Sequence, residues 1–152
     1  MRLFDDQETL DKELASVKSE AGGRLGLVSA DAPLISNLDV WRNIALIYEY
    51  HRNIPERKAE VFVIECLKRY GLENIAYKRN TFLSQEERFC VMLLRAAMLS
   101  DAVIVIDRPF HIMPYLKDTS FIYETLGKVD DLFALCYIFD YAQDKNRYGN
   151  DS

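Results

Sequence analysis

Residues 83–110 read LSQEERFCVMLLRAAMLSDAVIVIDRPF. Ser84, with Glu87 three positions on, has the form of a capping box: the hydroxyl accepts from a free helix N–H while the glutamate reaches back to the cap. Cys90, Leu93, Leu94, Ala97 and Met98 then recur at helical spacing, so the helix buries one face. A tight Ser100-Asp101 turn follows. The run Ala102-Val103-Ile104-Val105-Ile106 is apolar throughout and rich in β-branched residues, which suits a strand covered on both faces of a parallel sheet. Asp107 comes where such a strand emerges at its carboxyl end, the usual ligand crevice of open α/β sheets.

The rest of the chain is organised around that helix and strand. Residues 5–20 form a mostly polar helix with acidic residues in its first turn and a narrow Leu10, Leu14 and Val17 stripe, enough to dock but not to build a core. Gly22-Gly23 stops it, and residues 24–29 make a short strand. After the loop at 30–33, Asp39 is placed to cap a helix carrying Val40, Trp41, Ile44, Ala45, Ile47 and Tyr48. Residues 51–54, with His51, break that helix in a surface loop. Pro55 starts the next helix, which Gly71 ends after Tyr70. Residues 72–82 connect to the opening stretch. Beyond Phe110, residues 111–114 read as a loop, 115–126 as a helix, and 132–139 as a second fully apolar strand. The resulting domain plan is a single unit: an N-terminal helix over 1–22, sheet core from 24–31 and 102–140, a mainly helical lobe over 33–99, and a polar, fraying tail over 144–152.

Composition excludes several classes. A chain of 152 residues suffices for one domain. Its hydrophobic share of 49%, charged share of 28% and net charge of −5 describe a soluble globular protein with no general affinity for nucleic acid or anionic membranes. No apolar run spans a bilayer and the charged start is no signal peptide, so a cytoplasmic location without membrane insertion is expected. Cys66, Cys90 and Cys136 are mutually isolated, and His51 and His111 have no companion at ligand spacing. Zinc and disulfide readings therefore fail, and buried free thiols are expected. Ser84 and Cys90 lack a recognisable His partner for nucleophilic catalysis.

The order of motifs resembles the ATP-binding subunit of ABC transporters. Residues 26–34 (GLVSADAPL) stand where that family has its Q-loop strand, and residues 37–46 (NLDVWRNIAL) are similar to its N-L-T-V-x-E-N-I segment. Residues 83–88 (LSQEER) resemble the L-S-G-G-Q signature and the arginine after it; Arg95-Ala96 matches a pair further along the same helix. Residues 103–110 (VIVIDRPF) are similar to the Walker B strand, and residues 138–140 (IFD) fall at the Thr-His-Asp switch. The resemblance implies a fold: a partial P-loop NTPase-like parallel sheet with a helical signature lobe, without the Walker A strand and loop. It also implies that the strand at 132–139 loses its usual neighbour. That apolar edge would need either the N-terminal helix or a second chain over it.

The departures fall on the nucleotide-contacting positions. No G-x-x-x-x-G-K-[ST] loop occurs. The Q-loop glutamine is Ala30, and the signature glycines are Gln85 and Glu86, so Glu86 and Glu87 set carboxylates where the family leaves a helix N-terminus open to phosphate. The general-base position holds Arg108 and the switch position Phe139. Asp107 is the sole acidic Mg²⁺ candidate, against the simpler role of a strand-end carboxylate held by nearby backbone. Ser84 has helix capping as its simpler role. These residues imply a non-catalytic ABC-ATPase-like protein with no resident cofactor, acting through contacts with a membrane permease, an intact ABC ATPase subunit or a second copy. In the family the groove between the Q-loop and the helical lobe receives a permease helix, which makes Pro33, Leu34, Trp41, Ile44 and Tyr48 docking candidates. For Trp41 the competing role is a core position. Two alternatives remain open: an ATP- and Mg²⁺-binding component whose phosphate loop comes from another chain, and a stand-alone regulatory or structural protein.

Overall fold

The structure, a computed structural model, describes residues 1–149, and of His51 the backbone alone. Its elements in order are β1 (Arg2–Phe4), α1 (Gln7–Ala21), β2 (Leu25–Ser29), α2 (Val40–Arg52), α3 (Glu56–Lys68), α4 (Gln85–Ala96), β3 (Ala102–Asp107), α5 (Pro109–Ile112), α6 (Ser120–Gly127) and β4 (Phe133–Tyr141). The strands form one parallel sheet in the order β1-β4-β3-β2.

β3 lies inside this sheet, and all six of its residues are buried. Side chains alternate across a strand, and β3 uses both faces. Val103 and Val105 join Leu10, Val17 and Ala21 of α1 in one cluster, together with Phe4 and Phe139. Ile104 and Ile106 face the larger cluster built from α2, α3, α4 and α6. The capping box of α4 forms: Glu87 N donates to Ser84 Oγ at 3.1 Å, and Ser84 N donates to Glu87 Oε1 at 2.9 Å. Helix α4 rides close over β2. At Gly26 an added Cβ would stand 2.3 Å from the Ala96 carbonyl oxygen, a backbone atom that cannot swing aside. Gly26→Ala is therefore expected to cost at least about 1–3 kcal/mol of strain, read as a fall in thermal midpoint of about 2–4 °C per kcal/mol. An unchanged midpoint would show that the contact yields freely.

The beginning of the chain corrects one expectation. A strand does flank β4: Arg2, Leu3 and Phe4 pair in parallel with Phe139, Asp140 and Tyr141. β1 takes the sheet position that the resemblance assigns to the Walker A strand, and a two-residue turn, Asp5-Asp6, leads from it into α1. Helix α1 also covers the sheet face with Leu10 and Val17, as its stripe implied, while Leu14 is only partly buried.

Several local expectations shift for tertiary reasons. Asp39 makes no side-chain cap; it forms an antiparallel bridge and a 3.1 Å ion pair with Arg79. The first amides of α2 instead donate to the carbonyls of Lys78 and Ala76. His51 lies within α2 by its backbone, not in a loop, and Asn53 ends that helix in the left-handed region. Residues 109–112 form a helical turn begun by Pro109, where a loop was expected over 111–114. The helix expected from residue 115 starts only at Ser120, whose amide donates to Asp118 Oδ1 at 2.9 Å. The apolar strand expected over 132–139 forms as β4, and its amino end is partly exposed, with Leu135 46% accessible. The polar tail does not fray over 144–148: a 3₁₀ segment, Ala142–Tyr148, returns the Tyr148 ring to the core. Residues 150–152 of the expected tail lie outside the described residues.

Candidate functional site

Parallel strands bring their carboxyl ends to one edge, and here that edge gathers Ser29 from β2, Asp107 and Arg108 from β3, and Phe139 and Asp140 from β4. Ser29 Oγ donates to Asp107 Oδ2 at 2.8 Å and accepts from Asp31 N at 3.1 Å. Arg108 folds back on its neighbour, with Nε 2.9 Å from Asp107 Oδ1 and Nη2 3.0 Å from Oδ2. The same Nη2 donates to Asp31 Oδ2 at 2.6 Å. The Arg108 backbone sits at φ 48°, a left-handed conformation rare for a residue with a side chain. Its amide donates to the Phe139 carbonyl at 2.7 Å, which fixes that turn.

The electrostatics of this crevice are closed internally. Asp107 is 4% exposed and both of its oxygens are engaged by a planar fork of N–H donors. The two carboxylates, Asp107 foremost, hold the Arg108 guanidinium still more firmly protonated than an ordinary arginine. A divalent cation at Asp107 would have to displace that guanidinium, and among the described residues no cluster of three or more His, Cys, Asp or Glu is arranged to hold a metal. Asp107 thus has a side-chain ion-pair role in place of the backbone-held one expected.

Asp140, fully buried beside this cluster, accepts from Tyr148 Oη at 2.7 Å and from Tyr141 N at 2.8 Å. Burial raises its carboxyl above the usual range, opposed by those two donors. A raised folded pKa means that ionisation costs the native state free energy. This group's contribution is most favourable below about pH 4, the unfolded value, and is lost as pH rises through the folded value. Asp140→Asn keeps an acceptor for Tyr148 without the ionisation. Urea unfolding from about pH 4 to 8 is expected to show a smaller loss of stability with rising pH in the variant; parallel profiles would refute this.

The remaining sequence candidates separate into three groups. Ala30 is exposed in the turn after β2. Ser84, Gln85 and Glu86 are exposed and Glu87 is half-buried. Ser84, Glu86 and Glu87 line a different cavity, with Tyr70 and Phe121, and share no hydrogen bond with the Asp107 cluster. Of the docking candidates, Leu34, Trp41 and Ile44 are core residues, at most 4% exposed, and leave the surface reading. Pro33 is exposed. Tyr48, stacked on Phe62 at 4.7 Å, lines a cavity of about 280 Å³ with Arg52, Met98, Leu132 and Phe133 where the helical lobe meets the amino end of the sheet.

Two residues organise the loop after β2 without an obvious sequence signal for that role. Asn43 is 3% exposed; its Oδ1 accepts from Ile35 N at 2.7 Å, and its Nδ2 donates to the carbonyls of Ile35, Leu38 and Asp39. Arg95, in the last turn of α4, donates to the carbonyls of Ala32 and Pro33. Of the thiols, Cys90 lines the cavity beside Ser84; burial pushes Cys66 up to about 11 and Cys90 and Cys136 up to about 12. All three are free, Cys136 being half-buried.

No protein-family model matches the sequence, and no curated protein matches it. Solved structures do. MJ0796, a bacterial ABC transporter cassette solved as a dimer, superposes with a TM-score of 0.61 at 23% identity, covering 91% of this chain and 60% of that one. A dimeric post-hydrolysis state of the same ATP-binding cassette, bound to ADP and phosphate, gives 0.61 at 22%, covering 90% and 59%. The fold is that of an ATP-binding cassette. The chain spans about 60% of the length of the cassettes it matches. Within the cassette fold, β1, its acidic turn and α1 have the strand–loop–helix order of a phosphate-binding element. Asp6 Oδ1 accepts from Thr9 N at 2.8 Å, so a carboxylate of the chain already occupies the helix terminus that such an element offers to phosphate. Among the described residues no helix is long and apolar enough to cross a membrane.

Proposed function

We propose that the protein is a non-catalytic cassette-fold subunit that works through protein contacts at the cytoplasmic face of a membrane. The observation that carries the proposal is the Arg108 fork on Asp107: the strand-end carboxylate that would receive a metal is paired to a cation of the chain itself. Phe139 cannot act as a base or hydrogen-bond partner, and Asp6 caps α1. The cleft of about 280 Å³ beside Tyr48 and Phe62 offers a concave surface for such a contact at the amino end of the sheet, whereas the groove to which the resemblance assigns a permease helix lies at the other end, between the loop after β2 and the helical lobe. Its stacked Tyr48 and Phe62 rings, with Arg52, Asp101 and Asp131 in the same lining, suit a partner segment that carries both apolar and charged side chains.

The test is thermal unfolding with and without millimolar Mg-ATP. No stabilisation is expected, whereas a nucleotide at about 100 times its Kd would add roughly 2.7 kcal/mol and overturn the proposal. An ATP-binding component completed by a loop from another chain is the weaker reading, since β1 of this chain already pairs with the β4 edge beside which the resemblance sets the strand of that loop. Loss of co-purification with a co-expressed permease in Phe62→Asp would separate the contact role from a stand-alone regulatory one.

A further inference from the structure

The turn that begins α4 borders a second cavity, of about 180 Å³, closed on its far side by α6. Its floor is apolar, formed by Leu72, Cys90 and Phe121. Burial holds the Cys90 thiol up at about 12, so the floor stays uncharged at neutral pH. The rim is acidic: Glu86, Glu87 and Glu124 against the single ammonium of Lys128, which stands 3.9 Å from Glu124. Two exposed aromatic residues outside the lining are connected to it, one through the chain and one through Glu86. Phe82, 74% exposed, lies two residues before Ser84, and the Tyr115 hydroxyl, on a side chain 52% exposed, is held protonated by desolvation and in part by the nearby Glu86 carboxylate.

Size and charge together restrict the occupant. Small-molecule sites enclose roughly 300–1,000 Å³, so this cavity seats one long side chain in place of a whole metabolite. An apolar floor under carboxylates fits an aliphatic stem ending in a cation, and Tyr70 and Phe121 in the lining offer aromatic surface to a guanidinium. We propose that the cavity between α4 and α6 is a docking socket for an arginine side chain presented by a basic segment of a partner protein. The socket is separate from the cleft at Tyr48 and shares no lining residue with it, so the failure of either proposal leaves the other standing.

The probe is the tripeptide acetyl-Ala-Arg-Ala-amide, titrated into ¹⁵N-labelled protein, with its citrulline counterpart as the uncharged isostere. The arginine peptide is expected to move the amides of Ser84, Glu87 and Thr125 and to bind up to about five-fold more tightly than the citrulline peptide. The double variant Glu86→Gln/Glu124→Gln leaves the Glu87 capping bond intact and is expected to erase that preference without lowering the thermal midpoint. Equal binding of the two peptides, shifts that map to the acidic start of α1, no binding at all, or a preference retained in the double variant would each overturn the socket.

Discussion

Arg108→Ala is expected to destabilise the protein by about 3–5 kcal/mol, the cost of stranding a buried charge whose partner has been removed. Asp107 is 4% exposed and would keep only the Ser29 hydroxyl, while Asp31, exposed to water, would be little affected. The left-handed backbone at this position would remain, so alanine offers no relief there. Equilibrium urea unfolding gives the number. The decisive comparison is the pair Asp107→Asn with Arg108→Ala, which deletes both charges and is expected to recover a large part of the loss. A loss below about 1 kcal/mol in the single variant would place the pair among solvated surface bridges and remove the main support for a closed crevice.

Phe139→Ala should be comparably damaging, at about 3–5 kcal/mol for a large ring removed from a packed interior. Phe139 is fully buried, meets the Phe4 ring edge-on at 5.1 Å and lies in the cluster that joins α1 to the sheet. The damage should also be directional. β1 has only three residues and its Phe4 loses its ring partner, so amide exchange at Leu3 and Phe4 should accelerate more than at Val105 on the buried side. Phe139→His, which sets the family's switch residue in place, should be destabilising and give no nucleotide turnover. Measurable ATP hydrolysis in that variant would overturn the non-catalytic proposal.

The helix–turn–strand of residues 83–107 was readable from sequence because each step has a local cause: a capping box, a 3.6-residue apolar rhythm, then a β-branched run. The resemblance singled out Asp107, Arg108 and Phe139, which the parallel sheet brings to one edge. What escaped depended on distant partners. Three residues are too few for β1 to show any periodicity, and only the β4 edge makes Arg2–Phe4 a strand. The Asp39 cap failed because Lys78 and Ala76 offer the α2 amides better-placed carbonyls. Tyr148 is anchored by Asp140, whose buried position no local pattern announces. The inward course of Trp41 and Ile44 is an ordinary consequence of helical spacing, so a docking role for them had no independent support.

The four hydrogen bonds of Asn43 bear on the thermodynamics of recognition. They tie residues 35–39 from inside, so Ile35, 43% exposed, is displayed on a loop already held in one shape. A ligand meeting a mobile loop must supply the ordering entropy, of order 1–2 kcal/mol for each backbone residue fixed. A partner meeting this loop is spared much of that cost. Calorimetry on any complex formed through Ile35 should therefore show a small entropic penalty, and Asn43→Ala should weaken binding by enlarging that penalty, without removing a single direct contact.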